Sequence, residues 1–177
     1  EGHRDAPILR GNASTSDFFI DGMRDDVQYL RDLYNVERVE VLKGPAGMIF
    51  GRGTSGGLIN RVIKQANWVD GSELGLSYGS WDNRRITGDF NQAVNERVAL
   101  RLTTLYEDSN SFRDYDEVQR WGINPTASFV LNEATLAEVG YEHYEDERTV
   151  DRGLPSYTKP GSSRGEPLKV NDSTFFG

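Results

Sequence analysis

The sequence has no cysteine. Disulfide scaffolds, thiolate zinc sites and cysteine nucleophiles are thereby excluded. It has only two histidines, His3 and His143, and neither stands at a metalloprotease spacing such as HExxH. No apolar run reaches the ~18 residues that mark a transmembrane helix. Positive charge is also in short supply: 20 Lys and Arg face 28 Asp and Glu, a net charge of −8. Phosphate neutralisation needs clustered cations, so no nucleic-acid partner is expected. The opening Glu1-Gly2-His3-Arg4-Asp5 lacks a basic stretch followed by an apolar core and does not read as a signal peptide. Either a signal has been removed or the protein begins further upstream.

Glycine and aromatic residues are plentiful. There are 19 Gly, 8 Phe, 8 Tyr and 3 Trp, which suits a turn-rich β protein with interfacial aromatics better than a helical bundle. The hydrophobic share is 36%. That does not exclude a membrane, because barrel strands alternate apolar with polar residues and keep the average low.

Two halves meet near residues 66–72. In the first, short apolar segments are broken by glycine-rich turns. Val39 and Val41 alternate with charge and indicate a strand; Leu58 to Ile63 reads as a second. Pro45 is placed to open one helical turn over residues 45–50, with Gly51 ending it. The first half is thus a small α+β unit.

From Ser72 onward a period of two takes over. One face carries Leu74, Leu76 and Tyr78, then Ile86 and Phe90, then Val98, Leu100, Leu102 and Tyr106. It continues with Trp121, Ile123, Pro125, Ala127, Phe129 and Leu131, and ends with Ala137, Val139 and Tyr141. Five strands are expected. Their links alternate short (93–97, 132–134) with long (108–120, and from 146 on), as in outer-membrane barrels. The link at 80–83 is short where that rule wants a long one, and Pro125 removes a ladder donor inside a strand. The tail 156–172 reads as loop. Residues 72–145 alone would equally describe a soluble β-sandwich, such as a lectin.

The segment Gly51-Arg52-Gly53-Thr54-Ser55-Gly56-Gly57 contains GxGxxG. A phosphate loop would need a strand before it and a long helix after it; here a helical turn precedes and a short β-branched run follows. The glycines Gly44, Gly51, Gly53, Gly56 and Gly57 are read as structural. The acidic pairs and triplets, Asp25-Asp26 and Glu145-Asp146-Glu147, read as solvated loop charge. Nothing assembles into a catalytic or metal-binding constellation. The tract of residues 21–34 mixes charge with tyrosine. It suits either a plain surface loop or a recognition loop, with Arg for anionic oxygens and Tyr for a flat ligand.

The run Val36-Glu37-Arg38-Val39-Glu40-Val41-Leu42-Lys43-Gly44-Pro45, with Met48-Ile49-Phe50-Gly51-Arg52-Gly53 and Gly56-Gly57-Leu58-Ile59-Asn60, resembles the plug of TonB-dependent outer-membrane receptors. Leu9-Arg10-Gly11 and Phe19-Ile20-Asp21-Gly22 are similar to earlier plug positions. Tyr78-Gly79-Ser80-Trp81-Asp82 and residues 101–108 are similar to early barrel strands. Asp151-Arg152-Gly153-Leu154-Pro155 and Thr174-Phe175-Phe176-Gly177 resemble external loops of the siderophore branch, the catecholate and ferrichrome types above all. The resemblance spans nearly the whole chain.

It implies an α+β plug domain (partial) over residues 1–68, followed over 69–177 by antiparallel transmembrane β-barrel strands (partial). The parent would be a roughly 22-stranded barrel with a plugged lumen. It further implies a non-enzymatic receptor in the outer membrane of a Gram-negative bacterium. That receptor imports ferric siderophores, contacts TonB through a segment missing from this chain, and meets outer-membrane lipid. No cofactor is required, since the ferric siderophore is cargo. Ligand contacts are expected from Arg24, Gln28, Tyr29 and Arg31, with Arg52 and Trp81 beside them. Arg24 and Arg31 could equally pair with Asp25 and Asp32. Glu37, Arg38, Glu40 and Arg61 are expected to form ion pairs within the plug or with the wall. The same fold could carry cobalamin, haem, a nickel chelate or a carbohydrate, or could also signal to a periplasmic regulator.

Overall fold

The computed structural model describes residues 4–13, 17–44, 56–151, 153–161 and 163–176. Among them there are strands and turns but no α-helix. The helical turn expected at 45–50, with Gly51, Arg52 and Gly53, lies outside the described residues.

The first half opens with a small hairpin, β1 (Ile8–Leu9) and β2 (Asn12–Ala13). A four-stranded mixed sheet follows, built from β3 (Phe18–Ile20), β4 (Met23–Arg24), β5 (Val36–Leu42) and β6 (Leu58–Ile63) in the order β4-β3-β6-β5. Both early hairpins turn through paired positive φ angles, at Arg10 (52°) and Gly11 (83°) and at Asp21 (48°) and Gly22 (80°). Such turns match the twist of two-residue hairpins, and Asp-Gly is a favoured pair for them. Phe18, Phe19 and Leu58 form the buried heart of this sheet. Gly57 enters β6 at φ +136°, and a Cβ there would lie 2.6 Å from the Leu42 carbonyl oxygen.

The second half is one antiparallel sheet. Its strands are β7 (Gly71–Tyr78), β8 (Arg84–Asn95), β9 (Val98–Asn110), β10 (Glu117–Asn132), β11 (Thr135–Gly140) and β12 (His143–Arg148). Each pairs with the next through β10, and β11 and β12 follow one another along the same edge of β10. They act as one strand interrupted at Tyr141 and Glu142. The interruption faces Pro125, which accepts from the Tyr141 N–H but has no N–H to return. The Asn124 side-chain amide replaces the missing donor, bonding the Tyr141 carbonyl at 2.8 Å. The proline that stood out in the sequence is thus accommodated by its neighbour.

The strands outrun the sequence pattern. β9 continues to Asn110 and β10 starts at Glu117, so the expected link of 108–120 shrinks to 111–116. The last strand runs to Arg148 and takes in Glu145, Asp146 and Glu147, which were read as loop charge. Polar residues on the inner face of a wall continue a strand as well as apolar ones, and alternation of hydrophobicity alone does not register this. The tail contains a short hairpin, β13 (Ser156–Thr158) with β14 (Gly165–Pro167). The tight 79–83 link is a turn through Trp81 (φ 55°) and Asp82 (φ 54°), closed by the Asn83 N–H on the Ser80 carbonyl.

The large sheet is inside-out by the standard of a soluble protein. Its outer face is the apolar one: Leu74, Leu76, Tyr78, Ile86, Phe90, Leu100, Leu102, Tyr106, Trp121, Ile123 and Val139 are all exposed. Its inner face is polar and buried, with Asn91, Thr103, Glu107, Asn124, Thr126 and Ser128. A water-soluble sandwich puts its apolar residues between its sheets. A membrane barrel turns them outward, with aromatics near the rims. Tyr106 and Trp121 stand opposite each other in register on that outer face. His143 lies on the outer face against Trp121, with ring centroids 4.8 Å apart.

Candidate functional site

The polar inner face of the wall grips the first half of the chain. Two segments make the contact, residues 32–37 and 64–69. On the first, Asp32 accepts from both nitrogens of the Arg85 fork, at 2.7 and 2.9 Å, and lies 3.2 Å from Arg120. Arg120 and Arg85 both also bind Glu107. Burial alone would raise the Asp32 carboxyl's pKa, but the hydrogen bond and charge of Arg85 and the charge of Arg120 hold it below the usual carboxylate range. Tyr34 stacks near Tyr144 and donates to Glu142. It nestles against Gly122, where a Cβ would sit 2.8 Å from the Tyr34 hydroxyl. Burial, reinforced by Glu142, pushes the Tyr34 hydroxyl's pKa far up, so it stays a donor. Asn35 donates to Glu142 at 2.9 Å and to Asn124 at 3.3 Å.

The second segment is held mainly through its own backbone. Ser128 donates to the Ala66 carbonyl at 2.7 Å, Arg101 to that of Gln65, and Asn91 to those of Asn67 and Val69. Lys64 pairs with Asp89 at 2.8 Å. The ion pairs expected of Glu37, Arg38, Glu40 and Arg61 form in both proposed ways. Arg38 bonds Glu40 and Arg61 bonds Asp25 within the first half, while Glu37 reaches Arg101 of the wall at 3.7 Å.

Above this seam rises the loop of residues 25–33. Arg31 lies inside it, with its side chain 3% exposed. Its guanidinium rests against the rings of Phe18 and Tyr29, at 3.9 and 4.3 Å. Asp25 accepts from Arg31, from Arg61 at 2.8 Å and from the Tyr29 hydroxyl at 2.9 Å. Burial raises the Tyr29 hydroxyl's pKa; the Arg61 charge offsets part of the rise and Asp25 adds to it. Of the other residues singled out in the sequence, Arg24 is exposed and lies 5.3 Å from the Phe19 ring. Gln28 is exposed and accepts from Arg4 at 2.7 Å. Trp81 is exposed at the rim turn, edge-on to Phe112. Arg52 lies outside the described residues. Gln28 and Tyr29 thus share one loop, Arg24 ends β4 just before it, Trp81 stands on the wall, and Arg31 faces inward. A cleft of about 380 Å³ separates Tyr29 from Glu142, Tyr144 and Asp146.

Sequence reasoning passed over Asp5, Asn35, Arg85, Glu107, Arg120 and Glu142, and considered Asp32 only as a partner for Arg24 or Arg31. For Arg85, Glu107 and Arg120 the available signal was their place on the strand side opposite the apolar stripe; Asp5, Asp32, Asn35 and Glu142 lie outside strands and carried no such signal.

An apolar-out wall with a small mixed sheet seated on its polar side matches one family by sequence. Residues 1–58 fit the model of the TonB-dependent receptor plug domain. The catecholate siderophore receptor Fiu of Escherichia coli K12 is 36% identical over 98% of this chain. The chain belongs to the TonB-dependent receptors. The alignment with Fiu covers 24% of that protein, so the chain spans about a quarter of its relative's length. The crystal structure of the siderophore receptor PiuA from Acinetobacter baumannii matches 99% of this chain and 26% of its own, with 32% identity and a TM-score of 0.87. The metal-pseudopaline receptor CntO of Pseudomonas aeruginosa is 40% identical over 69% of this chain and 18% of its own length. The family consists of outer-membrane receptors and transporters, not enzymes. The soluble β-sandwich reading falls with this membership and with the outward apolar face.

Proposed function

We propose that the protein carrying this chain binds ferric siderophores at the cell surface and imports them with energy relayed by TonB. The observation that carries this is the plug sheet held by ion pairs against the polar face of an apolar-out wall, together with the identity to Fiu. Residues 1–68 form the later part of the plug and 69–177 the first wall strands. The links at 96–97 and 133–134 are short and mark the periplasmic rim, since periplasmic turns are the short ones. The links at 79–83 and 111–116 and the stretch after 148 then face outward. Arg24, Gln28 and Tyr29 present the ligand surface from the plug, with Arg52 and Trp81 beside them. A ferric tris-catecholate is anionic and flat-faced, which suits Arg and aromatic partners. The outer apolar face meets lipid.

A metal chelate built on another scaffold is the second reading, favoured by the identity to CntO. Uptake of radioactive iron by cells producing the full-length receptor tests both. Ferric catecholate uptake that needs the receptor and TonB is expected. Uptake of a metal–pseudopaline complex instead would transfer the assignment to the second reading; uptake of neither would sink both.

A further inference from the structure

Arg31 was expected on the ligand surface, yet every donor it owns is used within the chain. Guanidinium carries five N–H donors and no acceptor. The Nε donates to Asp25 Oδ2 at 3.0 Å. One terminal nitrogen serves Asp5 Oδ2 at 3.5 Å and the Tyr29 carbonyl at 3.3 Å. The other serves the carbonyls of Asp25 at 3.0 Å and Val27 at 2.8 Å. The backbone N–H of Arg31 also bonds Asp5. The carbonyls of residues 25, 27 and 29 therefore converge on one buried cation.

Between Asp25 and Arg31 no strand ladder holds the backbone. Residues 25–33 form no strand or helix. The tip side chains Asp26, Val27 and Gln28 are exposed. A segment without a ladder ordinarily samples many conformations, and ordering it costs conformational entropy. Here the ordering is done by the planar fork of Arg31, lodged against Phe18 and Tyr29 and balanced by Asp25 and Asp5. Arg61 ties the same Asp25 back to β6, so the loop is fastened to the plug sheet.

We infer that Arg31 is the positioning residue of the ligand loop: it touches no ligand and shapes the backbone that presents Gln28, Tyr29 and their neighbours. This rests on the ligand-binding role given to the loop above. Lysine cannot replace it, since an ammonium offers three donors and no planar face.

The test compares the full-length receptor with its Arg31→Lys and Arg31→Ala variants, by hydrogen exchange without ligand and by titration with ferric tris-catecholate. Expected is exchange at residues 25–31 at least tenfold faster in both variants, with β8 to β10 and the thermal midpoint unchanged. Affinity should fall tenfold or more, as much in Arg31→Lys as in Arg31→Ala. A direct charge contact would instead let Lys retain most of the affinity, and that result would overturn the inference. So would unchanged exchange at 25–31, or a loosened loop that binds as tightly as before. If the unmodified receptor binds no ferric tris-catecholate while the variants still loosen at 25–31, the cargo reading fails and the positioning role stands.

Discussion

Asp32 accepts a 2.7 Å hydrogen bond from Arg85 and so joins the plug to the polar face of the large sheet. The residue before it, Arg31, turns the other way into the loop of residues 25–31. Two neighbouring residues thus fasten the same stretch of chain to two different bodies.

The Asp32 link has a definite pH signature. Its folded pKa is lowered. Its stabilising contribution is therefore complete above the unfolded carboxylate value, about 3.9, and is lost only as pH falls through the lower folded value. Plug attachment in the full-length receptor should hold at around pH 5 and weaken only in stronger acid. Asp32→Asn should weaken it at neutral pH by on the order of 3 kcal/mol, because two guanidiniums lose a buried partner. Hydrogen exchange of β3 and β6 against pH reads both effects. Equal acid sensitivity in the two proteins would assign the step to another carboxylate.

Pro125 and Asn124 form a compensating pair. Removing the Asn124 amide orphans the Tyr141 carbonyl, at a cost of about 1–2 kcal/mol. Pro125→Ala restores a backbone N–H facing that carbonyl. The double variant Asn124→Ala, Pro125→Ala should therefore be more stable than the sum of the single changes implies, and a double-mutant cycle in denaturant measures the difference. A coupling energy of zero would mean that the amide does not stand in for the ladder bond.

How far the sequence reached can be judged from these residues. The alternation of Leu100, Leu102 and Tyr106 located the wall, because a period of two survives in any sheet. It could not say which face met water, since a soluble sandwich and a barrel share that period; only burial of Thr103 and Glu107 opposite those residues decides it. Gln28 and Tyr29 were legible as one loop, with Arg24 just before it on β4, because they are near in sequence. The pairing of Asp32 with Arg85 was not, for they stand 53 positions apart, and arginines were available on β8, β9, β10 and β12 alike. For Arg31 the sequence allows either a ligand contact or a pairing with Asp25 or Asp32. Residue type suggests an anion partner, and here Asp25 and Asp5 of the same chain fill that role.

Gly57 offers a test of the plug's tight entry into β6. Its φ of +136° and the Leu42 carbonyl 2.6 Å from a would-be Cβ leave no room for a side chain. Gly57→Ala should destabilise the plug by about 1–3 kcal/mol. Thermal melting of the full-length receptor should show a lower plug transition with the barrel transition in place. An unshifted plug transition would show that β5 and β6 can move apart at no cost.

The outward face gives the sharpest contrast between lipid and water. Leu102 lies mid-strand, between Phe90 and Pro125 of the neighbouring strands, and is 39% exposed. In water, Leu102→Arg on an exposed sheet face would change stability within about 0.5 kcal/mol. At the middle of a bilayer the same change should cost about 2–4 kcal/mol, because the guanidinium must leave water. Leu102→Phe keeps the face apolar and should be tolerated. Refolding of the full-length receptor into lipid vesicles, followed by its heat-modifiable mobility, reads both variants. Impaired insertion for Arg with normal insertion for Phe would place this face in hydrocarbon. Equal folding of the two would mean that the apolar stripe is covered by protein rather than by lipid.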